Sequence, residues 1–315
     1  MKKLRHLLLS LALVIGLSAP YVPSLAPLVD SVVSAETAVQ SPVKVKDMAG
    51  KEIVLDQPAQ KIVALLPSDA EILFAIGAGD QIAAIGNYVD YPAEEIKDLP
   101  VVTSGQDMNA EEILALEPEL VVLTTMGQTE DTVKQLEDAG IPVMITDSSN
   151  SIEEVYQNIE NLGIISGHEE EAQALIDEME ATFQEYEDKA KDKEGAKVYY
   201  EISPLEFGLW TAGKGTFMDE MGQMLKLENI FGDLEAWKEV SQEDVLDRNP
   251  DYIFTTSMPS EDQSPVDEIL NREGWQDVTA VKEQQVFAAD NSAFTRPGPR
   301  LMEAIKFLYE SVYGE

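Results

Sequence analysis

The feature of this sequence that most constrains its fold is an alternation of short apolar strands with capped helices. In the first half, strands are predicted at 61–66, 81–86, 120–124 and 142–146, with helices at 68–76, 109–116 and 129–139. Strands that alternate with helices form parallel sheets covered by helices. The chain is therefore expected to adopt an α/β fold.

Local patterns refine this prediction at the start of the first half. Residues 43–55 alternate apolar and polar side chains around an Ala-Gly pair, which predicts a β-hairpin. Ser68 has Glu71 three residues after it, the spacing of a capping box at the start of a helix.

The same alternation returns in the second half. Strands are predicted at 198–202, 252–255 and 285–288, and helices at 216–227, 266–272 and 299–313. Between the halves, 151–191 is helical in pattern and is broken only by Gly163 and Gly167. A helix of about 25 residues after that break would span roughly 37 Å, more than a small lobe needs for its own cover. We therefore predict a linking helix between two lobes, with two ordinary helices of one domain as the alternative.

These patterns, with the N-terminal segment treated below, divide the chain into predicted regions. The boundaries are 1–35 for a signal peptide, 36–150 for an N-terminal α/β lobe, 151–191 for the linking helix and 192–315 for a C-terminal α/β lobe.

An internal repeat relates the two halves. Segments 109–122 and 241–254 align without a gap, and each begins with a cap residue, has an acid three positions later and stops at a proline before an apolar strand. Glu111 and Glu243 occupy equivalent positions, second in each predicted helix, where the helix dipole favours a carboxylate. Either dipole complementation alone explains them, or each docks onto basic residues of a twofold-symmetric partner.

The N-terminal segment resembles an export signal. Basic residues at 2–5 precede an apolar run at 7–17 that is too short to cross a bilayer comfortably. We expect cleavage after Ala35, with an uncleaved anchor as the alternative. The mature protein is then expected to be secreted, to the periplasm or the extracytoplasmic face of the membrane.

Composition excludes several functions. With no cysteine, the chain has no disulfide, no thiol nucleophile and no lipid acceptor, so a lipoprotein is not expected. A net charge of −37 argues against nucleic acid as a partner. The only histidines are His6 and His168, which leaves no nucleophile–histidine arrangement, and we expect no enzyme activity. A transition metal would have to arrive already chelated, because no His/Cys site can be built.

An ordered set of motifs across about 43–313 resembles the iron-siderophore, haem and vitamin B12 binding proteins of ABC importers. The residues that carry the resemblance include Asn87-Tyr88-Val89-Asp90-Tyr91-Pro92, Pro118-Glu119-Leu120-Val121 and Arg296-Pro297-Gly298-Pro299-Arg300. The resemblance implies two Rossmann-like lobes joined by one long rigid helix, with a ligand cleft between them. It also implies that Glu111 and Glu243 dock onto a permease dimer that works with ATPase subunits.

Within that family the motifs are most similar to the vitamin B12 branch, so a cobalt corrinoid is the favoured cargo, with a ferric siderophore or haem as the alternative. No intrinsic cofactor is expected, and the protein is expected to be a monomer. A corrinoid is a wide, partly apolar disc that suits aromatic walls, whereas an anionic ferric siderophore would require Lys214, Arg296 or Arg300. The candidate ligand-binding residues are Tyr88, Tyr91, Trp210, Lys214, Trp237, Phe294 and Arg296. A secreted adhesion or scaffold protein is a remote alternative.

Overall fold

The computed structural model describes residues 42–124, 130–146, 150–259 and 263–314. The predicted signal peptide and its cleavage site lie outside these ranges. Within them, no helix is both long enough and apolar enough to cross a membrane.

The strands and helices follow the predicted alternation. The strands are β1 Val43–Lys46, β2 Glu52–Leu55, β3 Ile62–Ala64, β4 Ile82–Gly86, β5 Val101–Val102, β6 Leu120–Leu123, β7 Val143–Ile145, β8 Lys197–Glu201, β9 Leu209–Ala212, β10 Glu228–Asn229, β11 Trp237–Val240, β12 Tyr252–Thr255 and β13 Val286–Ala288. The helices are α1 Pro67–Ala75, α2 Ala93–Ile96, α3 Ala110–Leu114, α4 Glu130–Asp138, α5 Ile152–Ser166, α6 Glu169–Ala190, α7 Phe217–Met224, α8 Gln242–Arg248, α9 Pro265–Leu270, α10 Thr279–Lys282, α11 Asn291–Thr295 and α12 Leu301–Tyr313.

The N-terminal lobe is built on a parallel sheet with the strand order β5-β4-β3-β6-β7. The predicted hairpin is confirmed as β1 and β2, which pair antiparallel. Gly86 ends β4 where the backbone passes close to its neighbour, since a Cβ there would lie 2.3 Å from the carbonyl oxygen of Leu65. Only glycine fits that position without moving the backbone.

The C-terminal lobe has a parallel sheet with the order β10-β8-β12-β13. This order matches β4-β3-β6-β7 of the first lobe, and the strands of the internal repeat, β6 and β12, take the same place in each. The lobe also contains an antiparallel pair, β9 and β11, which was not predicted from the sequence.

The predicted linking segment consists of two helices rather than one. Gly167 adopts a left-handed conformation with φ +76° and caps α5, which explains the break. Helix α5 packs on α1 and β1 of the N-terminal lobe, whereas α6 packs on α5 and also on α7 and α12 of the C-terminal lobe. The element that joins the lobes is therefore the 22-residue α6 alone.

One continuous hydrophobic core runs through α6 into both lobes. A buried stripe along this helix, formed by Ala172, Leu175, Met179, Phe183 and Tyr186, belongs to the same cluster as the inner faces of both sheets. The outer faces of the two sheets have separate clusters. Because packing of this kind resists deformation, α6 holds the lobes at a fixed spacing.

The helix caps confirm the repeat but correct one prediction. The side chain of Asn109 accepts a hydrogen bond from the backbone of Glu111, and Ser241 forms a full capping box with Asp244. The box predicted for Ser68 and Glu71 is wrong. Helix α1 already begins at Pro67, with Leu66 at its N-cap, so Ser68 cannot cap it, and the Glu71 carboxylate instead accepts hydrogen bonds from arginines.

Candidate functional site

The loops that follow the strands of the two sheets meet between the lobes, where Arg296 contacts Glu71 and Asp90. In parallel sheets all such loops lie at the carboxyl edge, where α/β proteins bind ligands. Asp90 follows β4 in the N-terminal lobe and Arg296 follows β13 in the C-terminal lobe, and their side chains form a bidentate ion pair. The two carboxyl edges are therefore in direct contact on one side of the cleft.

On the N-terminal side, the loop after β4 presents an aromatic ring to solvent. The Asn87 side-chain oxygen accepts hydrogen bonds at 2.8 Å from both the backbone and the hydroxyl of Ser104, and Val89 is buried beneath the loop. These contacts fix the loop, while 65% of Tyr88 stays exposed. Tyr88 is therefore exposed on a loop that follows a strand, and its contact with a ligand stays a prediction.

Glu71 is the centre of an ion network between the lobes. Its carboxylate is 3% exposed and accepts hydrogen bonds of 2.9 Å from Arg296 and, at both oxygens, from Arg300. Arg296 is shared with Asp90, and Arg300 lies 3.6 Å from Asp290. Two guanidinium groups of the C-terminal lobe therefore meet two carboxylates of the N-terminal lobe and one of their own.

The pKa shifts agree with this geometry. The hydrogen bond from Arg296 lowers the pKa of Asp90, although partial burial opposes it. Desolvation works against the charge on Arg296 and Arg300, but their carboxylate partners outweigh it and raise the pKa of both. Arg300 also lies over the ring of Tyr91, 4.6 Å from its centroid, so a cation already covers one face of that predicted ligand contact.

On the C-terminal side, four apolar side chains are exposed near the ends of strands of the lobe. Leu205, Phe207, Trp210 and Met258 are between 36% and 75% exposed and follow or adjoin β8 and β12. Trp210 was predicted, and the other three were missed. Leu205 and Phe207 could have been found, because both lie in a Pro-Gly turn directly after a buried strand, where apolar residues serve no core.

A pocket of about 440 Å³ opens beside this apolar rim. Leu205 and Met258 line it together with Glu206, and the buried Glu201 lies at its base. Both oxygens of Glu201 accept hydrogen bonds from Arg272, at 2.8 and 2.9 Å.

This buried pair is braced on two further sides. Arg272 donates to Glu268 from Nε at 3.0 Å and lies 4.3 Å from the ring centroid of Trp275. Burial raises the pKa of Glu201, against the opposing effect of Arg272. The pKa of Arg272 is raised because its carboxylate partners outweigh its desolvation.

The remaining predicted contacts differ in their placement. Trp237 is half-buried, donates its indole N–H to Asn150 at 3.0 Å and packs edge-on against Phe217. Lys214 is exposed, with its ammonium group 3.5 Å from the Glu235 carboxylate.

The prediction that Phe294 lines the cleft is wrong. Phe294 is 1% exposed and packs edge-on against Phe307, 5.8 Å between ring centroids. The buried side of α11 faces α12, so this ring belongs to the core of the C-terminal lobe rather than to the wall of the cleft.

Glu111 and Glu243 lie at matching sites, each the second residue of its helix, α3 and α8, and both are exposed. Among the described side chains, no group of three or more His, Cys, Asp or Glu is arranged to hold a metal ion.

Two parallel-sheet lobes joined by one long helix, with a cleft at their carboxyl edges, define a two-lobed ligand-binding protein. A model of the periplasmic binding protein family matches residues 62–293. The chain is 34% identical over 277 residues to an uncharacterized ABC transporter substrate-binding lipoprotein, YvrC, of Bacillus subtilis, with 86% of each covered. It is 30% identical to a vitamin B12-binding protein of Yersinia pestis, with 81% of this chain and 87% of the relative covered.

A solved structure supports the same relationship. A possible iron-binding, periplasmic solute-binding protein of Staphylococcus epidermidis superposes with a TM-score of 0.70 at 29% identity, covering 82% of this chain and 100% of that protein. The chain belongs to the periplasmic binding protein family, and one of its relatives is named as an ABC transporter substrate-binding lipoprotein.

Proposed function

We propose that this protein is the extracytoplasmic binding component of an ABC importer, which captures a metal chelate in its cleft and delivers it to a permease. A cobalt corrinoid is the favoured cargo. The observation that carries this proposal is the exposure of aromatic and apolar side chains on both lobes, on loops near strand ends, two of which meet between the lobes.

The character of the cleft supports a broad, partly apolar cargo. Tyr88 from one lobe and Phe207 and Trp210 from the other are exposed, although aromatic side chains gain from burial against a ligand. The name of the Yersinia relative, vitamin B12-binding protein, favours a corrinoid.

A ferric siderophore or haem is the alternative cargo. The Staphylococcus structure, described as possibly iron-binding, favours it. In either case the metal would be cargo, because it would enter and leave as part of a chelate, and the protein would need no cofactor of its own.

Delivery is assigned to the paired glutamates of the repeat. Glu111 and Glu243 occupy equivalent places on equivalent helices, so a monomer presents two similar acidic sites to the two halves of a permease dimer. Because α6 is packed into both lobes, the spacing between these sites is fixed. Electrostatic complementarity would then set the orientation of docking.

Titration of the purified protein with cyanocobalamin tests cargo binding. We expect saturable quenching of tryptophan fluorescence, and Tyr88→Ala or Trp210→Ala should weaken binding by about 1–3 kcal/mol, roughly 5- to 150-fold, through lost burial. Val54→Ala serves as a control, because this exposed side chain lies on the β2 hairpin strand. No binding to any corrinoid, together with tight binding of a ferric siderophore, would favour the alternative cargo.

Uptake by proteoliposomes that contain the permease and ATPase tests delivery. The double variant Glu111→Ala/Glu243→Ala should lose uptake while its affinity for cargo stays unchanged. A matched control is Glu153→Ala/Glu170→Ala, since these exposed glutamates are also second in their helices, α5 and α6. Equal uptake by both double variants would contradict the docking role.

A further inference from the structure

We propose that the cleft selects its cargo by charge, accepting neutral or cationic chelates whose periphery is rich in hydrogen-bond donors and rejecting anionic ones. This inference rests on the proposed function and narrows the class of cargo. It depends on how the cationic side chains near the cleft are already engaged.

In the ion network between the lobes, both guanidinium groups are already paired with carboxylates. Arg296 and Arg300 serve three carboxylates, those of Glu71, Asp90 and Asp290. An anionic ligand could recruit either guanidinium only by displacing a carboxylate that is already in place. Arg296 and Arg300, which are anion-binding candidates in the sequence, therefore link the two lobes through ion pairs.

In the pocket of the C-terminal lobe, carboxylates also outnumber cations. Arg272 alone serves Glu201 and Glu268, and Glu206 adds a further carboxylate to the pocket lining. Arg272 itself is 6% exposed, so it is screened from the pocket by its partners. The pocket thus carries excess negative charge.

The antiparallel pair β9 and β11 also places a carboxylate beside an exposed aromatic side chain. Trp210 pairs in register with Glu239, and Thr211 pairs with Lys238. Because side chains alternate across a strand, Glu239 shares the face of the exposed Trp210, whereas Lys238 lies on the opposite face. Lys214, the remaining predicted cation, lies beside Glu235.

A polar group in the pocket favours cargo that can form hydrogen bonds. The hydroxyl oxygen of Ser257 is buried and has no hydrogen-bond partner among the described residues, although it belongs to the pocket lining. Buried polar atoms are normally paired, so a ligand group is expected to complete this one. An amide or ammonium group could contact Ser257 and also donate to Glu206, whereas a carboxylate would meet repulsion from Glu206.

Two series of chelates that differ chiefly in the charge of one group test the inference. Ferrioxamine B carries a pendant ammonium, its N-acetyl analogue is neutral at that position, and its N-succinyl analogue carries a carboxylate. Cyanocobalamin and the derivative with one amide hydrolysed to a carboxylate form the second pair. We expect affinity to fall by about tenfold for each added negative charge in whichever series binds.

A charge reversal separates local selection from the field of the whole acidic chain. Glu206→Lys should bring the anionic analogue to the affinity of the neutral one or better. Glu187→Lys changes the net charge equally on exposed α6 and should leave the order of affinities intact. Equal binding of the anionic and neutral analogues by the wild type, or equal effects of the two variants, would overturn charge selection but not the proposed function. Failure of every chelate to bind would overturn the proposed function and this inference with it.

Discussion

Two deeply buried carboxylates, Asp69 in the N-terminal lobe and Glu201 in the C-terminal lobe, are stabilised in different ways. In the N-terminal lobe, Asp69 is 0% exposed and accepts hydrogen bonds from two neutral donors, the Thr146 hydroxyl at 2.5 Å and the Asn158 amide at 3.0 Å. In the C-terminal lobe, Glu201 is 1% exposed and both of its oxygens are held by Arg272. One carboxylate is thus solvated by neutral groups and the other is neutralised by a cation.

The two arrangements differ in how they respond to pH and to mutation. Burial raises the pKa of Asp69 to about 6, because its two hydrogen bonds only partly oppose desolvation. Asp69 can therefore lose its charge by protonation near neutral pH. Glu201 has a fixed partner whose own charge would be stranded if the carboxylate were removed. We expect the first site to respond to pH and the second to be sensitive to mutation.

The largest expected effect is loss of the cation in the C-terminal lobe. Arg272→Met should reduce the free energy of unfolding by about 3–5 kcal/mol, because it leaves Glu201 buried without a partner. Urea denaturation would measure this loss. The double variant Arg272→Met/Glu201→Met should recover most of it, since no buried charge remains there. A loss below about 1 kcal/mol in the single variant would show that water already reaches Glu201.

The second effect concerns pH and the N-terminal lobe. A carboxyl whose pKa is raised by folding, here from 3.8 to about 6, stabilises the folded state fully below 3.8. That contribution is lost as the pH rises through 6, at a cost of about 3 kcal/mol. Asp69→Asn should remove this fall in the free energy of unfolding. Between pH 4 and 7, a window taken from the pKa of Asp69, the free energy of unfolding of the variant should therefore change less than that of the wild type.

Asp56→Asn provides a control for that measurement, because Asp56 is an exposed aspartate of the same lobe. An unchanged pH profile in Asp69→Asn would mean that Asp69 is not the titrating group.

A smaller effect is expected at the boundary between the lobes, where Glu71 combines deep burial with two guanidinium partners. Glu71→Gln should lower the free energy of unfolding by about 1.5–3 kcal/mol, since it weakens charge-assisted hydrogen bonds of both arginines. Asp90→Asn should cost less than about 1 kcal/mol, because the Asp90 side chain is 61% exposed. Urea denaturation of both variants would measure these losses. Equal losses of unfolding free energy would contradict the central role of Glu71 in the ion network.

The sequence predicts those parts of the fold that depend on neighbouring residues. The β1–β2 hairpin, most strands of both sheets and the cap at Ser241 all follow from local patterns, and the structure confirms them. The exposed position of Tyr88 could also be predicted, because it follows a buried strand.

What could not be predicted depends on partners distant in the chain. Glu71 fits a local capping pattern, yet its hydrogen-bond partner Arg296 lies 225 residues further on. Phe294 looks like a loop aromatic until α12 is seen to cover it. Local spacing does not report such contacts, so the ion network between the lobes emerged only from the structure.

Hydrogen exchange with and without cyanocobalamin tests the central claim most directly, because it locates the bound ligand on the whole chain at once. If the cleft holds the cargo, the backbone amides of 87–92 in one lobe and 202–210 in the other should gain protection together, while the outer helices α4 and α10 stay unchanged. Saturable binding with protection confined to one lobe, or to the outer helices, would contradict a ligand held between the two lobes.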